Sequence, residues 1–133
     1  MLYLEDIKDW IKTIFKAEHY YMGKLDNKQN KSIGVYQRKT NNPPRVCIGG
    51  EVNTSYEVKP VSILVHWSND ASETEKAAYE LFNSIKQCRN VTINNIQILY
   101  IQLLNSEPVD VATDDKGIYE RVIELDIYYM KGE

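Results

Sequence analysis

Cysteine and histidine are scarce in this chain: Cys47, Cys88, His19 and His66 are the whole supply among 133 residues. The cysteines lie far apart and neither belongs to a Cys-x-x-Cys pair, so neither a disulfide framework nor a zinc knuckle finds support. A zinc site needs three or four ligands, and no metal or cofactor is expected. Gly49-Gly50 lacks the lysine and third glycine of a phosphate loop, and no Gly-x-Ser-x-Gly elbow surrounds Ser62 or Ser68. Asp110, Asp114 and Asp115 lack the central glycine and terminal glutamate of a calcium loop and read as solvated. A basic excess is missing too. The formal net charge is −3, whereas nucleic-acid binders carry a clustered positive surplus, so tight DNA binding is not expected. Apolar runs reach about seven residues against the roughly 20 that span a bilayer, and no stretch reads as a signal peptide. The expectation is a soluble, non-enzymatic protein of a reducing cytoplasm.

What the chain does hold is tyrosine, ten residues against two Phe and two Trp. A large apolar ring with a hydroxyl that stays wet suits interfaces, or the rim of a half-exposed sheet. The strongest structural signal is the run Val61-Ser62-Ile63-Leu64-Val65-His66-Trp67, a strand within Tyr56–Trp67. Ser68-Asn69-Asp70 stops it, and Ala78, Leu81, Phe82 and Ile85 then recur at helical spacing on one face. Asp70 with Glu73, or Ser72 with Glu75, can cap that helix. Pro60 cannot donate to a ladder, so the well-paired part of the strand is placed after it.

The remaining elements follow by the same periods. Leu4, Ile7, Ile11, Ile14 and Phe15 predict an opening helix, acidic at its start and basic at its end, that stops near Ala17. His19–Met22 and Ile33–Tyr36 read as short strands forming a hairpin across the polar stretch Lys24–Ser32. Pro43 and Pro44 make Arg38–Arg45 an exposed loop, and Val46-Cys47-Ile48 is a brief strand closed by Gly49-Gly50. Asn94-Asn95 turns the chain into Ile96–Leu104, largely apolar on both faces and therefore expected to be central. In the last strand, Ile118–Met130, Tyr119, Ile123, Leu125, Ile127 and Tyr129 point one way and Glu120, Glu124 and Asp126 the other, one face buried and one wet. Residues 1–133 are thus expected to form one domain of α+β class, with a mixed, largely antiparallel sheet and two main helices packed on one face. Asn105–Gly117 carries no strand or helix signal and is too long for a plain hairpin turn, which marks it as a docking loop.

Several blocks in order carry a family resemblance: Tyr21-Met22-Gly23-Lys24-Leu25-Asp26-Asn27-Lys28, Lys31-Ser32-Ile33-Gly34-Val35-Tyr36, Gly49-Gly50-Glu51-Val52-Asn53-Thr54-Ser55-Tyr56, Glu107-Pro108-Val109-Asp110-Val111 and Asp114-Asp115-Lys116-Gly117-Ile118-Tyr119-Glu120-Arg121. From about Ile7 to Tyr129 the chain resembles the phage minor capsid family whose members act as tail terminators in long-tailed phages and phage-tail-like bacteriocins. The resemblance implies a small α/β domain that assembles as a hexameric ring on the last ring of the tail tube, ends tube growth and docks the neck or head. The implied partners are further copies of the chain, the tail tube protein, and the sheath and neck or head-completion proteins. DNA would pass through without specific binding, and assembly would take place in the bacterial host cytoplasm. The expected partner interface comprises Glu107, Pro108, Val109, Asp110, Val111, Asp114, Asp115, Lys116, Pro43 and Pro44. The acidic row Glu120, Glu124 and Asp126 is expected to face the lumen. Two alternatives stand beside this reading. One is another head–tail joining or tail-completion protein. The other is a small ligand-binding or catalytic α/β domain using His66, Asp114 and Arg121.

Overall fold

The computed structural model describes residues 1–24, 29–39, 55–113 and 116–131. Two helices, α1 (Leu4–Ile14) and α2 (Ala71–Lys86), lie against strands β1 (His19–Met22), β2 (Ser32–Gln37), β3 (Tyr56–His66), β4 (Thr92–Ile93), β5 (Ile96–Leu103), β6 (Val109–Thr113) and β7 (Tyr119–Met130). The sheet runs β1-β2-β3-β7-β5-β4, with β6 added to β7. All pairings are antiparallel except β1 with β2. The class is α+β as the periodicities predict.

One face of the sheet carries the core. Ile33, Val35, Val61, Ile63, Val65, Ile123, Leu125 and Ile127 point towards the helices, where Ile7, Ile11, Ala78, Leu81, Phe82 and Ile85 close over them. The i, i+3, i+4, i+7 set read from α2 is therefore its buried stripe. Asp70 is the cap of that helix, its Oδ1 accepting from the amides of Ser72 (2.9 Å) and Glu73 (3.2 Å). In α1 the last helical residue is Ile14, three short of the expected end. The Tyr20 hydroxyl explains the early stop: it donates to the Phe15 carbonyl (2.6 Å) and accepts from the Ala17 amide (2.7 Å), fixing an extended exit. That clamp is local in sequence, but it rests on a hydroxyl and not on the apolar spacing from which the helix is read.

Four further expectations are corrected or refined. β1 and β2 are parallel, so they form no hairpin. β5 is not central: it has β7 on one side, and on the other only β4, paired at Ile96 and Gln97. The central strand is β7, which holds β3 along its full eleven residues and carries β5 and β6 end to end on its opposite edge. Residues 105–117 are not structureless, because Val109–Thr113 form β6. Pro60 sits where β2 runs out: the last β2 pair is Gln37 with Val61, and the Pro60 carbonyl accepts from the Arg38 amide (3.2 Å). Its missing donor thus faces the β2 side, while pairing to β7 continues past it in both directions. The predicted strand at residues 46–48 lies outside the described residues.

Candidate functional site

Because both helices cover one face, no helix among the described residues lies on the other face of the sheet. Cross-strand registers place Tyr36, Ser62, Leu64, His66, Glu120, Val122, Glu124, Asp126 and Tyr128 on it. This face is not the plain wet surface that strand alternation predicts. Asp126 is buried and paired with the Arg38 guanidinium. His66 is fully buried and its Nδ1 lies 2.8 Å from Glu120 Oε2, to which it donates. Glu124 is half-buried and accepts from Asn105 Nδ2 at 3.4 Å. Two of the three carboxylates of the acidic row are therefore already matched by basic side chains from β3 and from the residue that follows β2. Towards the β7 C-terminus the same face carries a row of rings, Tyr56, Tyr128 and Tyr100, with centroids 6.0 Å apart at each step. The Tyr128 hydroxyl donates to the Gln102 side chain (3.3 Å).

The long β5–β7 connection is tied to its own domain. Glu107 accepts from the Tyr79 hydroxyl of α2 at 3.0 Å, a bond that raises the Tyr79 phenol above its ordinary range. Pro108 is buried, and its carbonyl accepts from Arg121 Nη1 (3.4 Å), whose Nη2 lies 3.6 Å from Glu75 on α2. Val109, Asp110 and Val111 belong to β6, and Lys116 is exposed in the turn before β7. Pro43, Pro44, Asp114 and Asp115 lie outside the described residues. On this flank the predicted Val109 and Val111 are joined by three residues outside the predicted set, Leu99, Tyr100 and Leu104, and the five keep between 38% and 61% of their surface exposed. The signal of the three unpredicted residues in the sequence is the absence of any charged residue from Ile96 to Leu104, which leaves an edge strand without the charges or prolines that normally protect one.

Nothing in this geometry converges as a reaction centre would. His66 lies on the open face while Arg121, one residue along from His66's partner Glu120, turns to the helices. Among the described residues no three His, Cys, Asp or Glu side chains are grouped to hold a metal. An open groove of about 480 Å³ between α1 and the β4–β5 turn is lined by Glu5, Asp6, Asp9 and Trp10 with Thr13 and Thr92, a carboxylate-rich wall in which no histidine or cysteine takes part.

An open sheet face, an uncharged apolar edge and no convergent cleft define a protein whose distinctive surfaces are suited to contact with other proteins. A family model described as bacteriophage tail terminator protein matches residues 2–130, and the chain belongs to that family. It is thus a phage tail component. No curated protein matches the sequence.

Proposed function

We propose that the chain forms a closed homo-oligomeric ring, a hexamer, that caps the tail tube, stops its growth and offers its far side to the neck or head. The observation that carries this reading is the apolar flank of β5 and β6, five large side chains exposed on and beside two strands that share one edge of β7. Patches of that kind belong to protein interfaces, and a ring component needs one towards each neighbour and another towards the tube. Partners are accordingly further copies of the chain, the tube protein, and sheath or neck-completion proteins where the particle has them, whether phage or phage-tail-like. The role is architectural, with assembly in the host cytoplasm.

The open sheet face is placed towards the lumen, so that Glu120, Glu124 and Asp126 line the path of DNA. Since Asp126 is ion-paired with Arg38, the repulsion of passing phosphate rests on Glu120 and Glu124 and stays weak, which suits transit without binding. Particles assembled without the protein should carry tubes of uncontrolled length, and electron microscopy of complete particles should find it as one ring at the head-proximal end of the tube. A position elsewhere in the neck would make it another tail-completion or joining protein. Normal tube lengths in its absence would overturn the terminator role.

A further inference from the structure

Two strands of the sheet with a single partner each, β1 at one end of the path and β6 added to β7, occupy the same rungs. His19 of β1 pairs with Ser32, Ser32 with His66, His66 with Glu120 and Glu120 with residue 112 of β6. Two rungs along, Tyr21 leads through Gly34, Leu64 and Val122 to Val109 by the same chain of registers. Strand directions add a second condition. β1 is parallel to β2, and each later step to β3, β7 and β6 is antiparallel, so β1 and β6 run in opposite senses. Among the described residues β1 pairs only with β2, and β6 only with β7.

We propose that β6 of one copy pairs antiparallel with β1 of the next, so that the sheet continues from subunit to subunit around the ring. The inference rests on the ring reading and names the interface that builds it. Joining unlike edges head to tail gives a ring when the step is a rotation and a filament when it includes a slide. Edges that share rungs meet without a slide. Antiparallel pairing is also the more stable kind. Charge protects these edges little: β1 holds no Lys, Arg, Asp, Glu or Pro, and β6 holds one Asp, beside an irregularity between Asp110 and Ala112. A few rungs fall short of the roughly 800 Å² per partner of a specific interface. The exposed side chains flanking them, Met22 on one edge and Leu104, Val109 and Val111 on the other, supply apolar surface in the same strip.

Cysteines at Tyr21→Cys and Val109→Cys, in a chain carrying Cys47→Ser and Cys88→Ser, would share a rung across the interface. Antiparallel rungs bring Cα atoms to about 4.5–5.5 Å, within disulfide reach. Oxidation of the assembled protein should produce a ladder of linked chains ending at the closed ring on non-reducing denaturing gels, while either cysteine alone should give no product beyond two chains. Two lysine substitutions at exposed edge positions, Met22→Lys and Val111→Lys, should each lower the ring fraction about tenfold in native mass spectra and leave the circular dichroism unchanged. A ring with no ladder, or a full ring in both lysine variants, overturns edge pairing and leaves the ring reading standing. A protein that stays monomeric, both alone and on assembled tube, overturns both.

Discussion

Arg38 and Asp126 show what single residues contribute on the open face. Both side chains are mostly buried, with exposures of 20% and 10%, so each has lost water that only the other replaces. Removing one partner strands a charge, and such changes cost about 3–5 kcal/mol. Asp126→Asn should therefore lower urea stability by about 3 kcal/mol, and the double change Arg38→Met with Asp126→Leu should recover most of the loss. Tyr129 provides a pH test. Burial, together with the bond its hydroxyl donates to Glu57 Oε2 (2.7 Å), pushes its phenol from 10.0 up to about 12. The folded state thus favours the neutral ring. That contribution is complete below pH 10 and is lost as pH rises towards about 12. The loss should be visible as a falling denaturation midpoint over that window, and Tyr129→Phe should flatten that part of the curve.

Among the elements, the β4–β5 turn is the most locally determined. Asn94 and Asn95 adopt φ of 48° and 65°, the left-handed pair that a two-residue hairpin requires and that asparagine tolerates better than most residues. Asn94→Ala with Asn95→Ala should cost about 2 kcal/mol at roughly 1 per residue, while Asn95→Gly should be neutral or stabilising; urea titration distinguishes them. The β5–β6 pair obeys different logic. Its two strands lie in line along one edge of β7, interrupted by residues 104–108, which α2 holds through Tyr79–Glu107 and through Arg121. Replacing residues 107–116 by a tight turn would consequently remove a strand as well as a loop. Deleting it should expose the N-terminal half of β7 and speed hydrogen exchange at residues 119–122, whereas a freely hanging loop would leave those amides unchanged.

Over the described residues, two helices cover one face of the sheet and none covers the other. The ring reading gives that asymmetry a use: one layer supplies stability and the other faces the channel. Native mass spectrometry of the protein mixed with tube protein should show a species six chains in size. In an image of the particle the Glu124 carboxylates should lie on the inner circumference, and finding them on the outer wall would reverse the assignment of the two faces.

The helices, the long strand β3, the cap at Asp70 and the family itself were legible along the chain, because each rests on spacing within a dozen or so residues or on ordered blocks. The end of α1, the parallel pairing of β1 with β2, the edge position of β5 and the existence of β6 were not. The three strand features depend on partners distant in sequence, β3 beside β2 and β7 beside both β5 and β6, whereas the end of α1 depends on the nearby Tyr20 hydroxyl, a polar contact that apolar spacing does not register. An apolar strand reads alike at the centre of a sheet and at an edge awaiting another subunit. Similarly, the acidic row on β7 was visible as alternation, but Arg38, which offsets the Asp126 charge, and His66, which donates to Glu120, are brought across the sheet only by pairing. Local periodicity determines which face of a strand is apolar. Long-range register determines what lies against that face, and with it the surface left for the next copy.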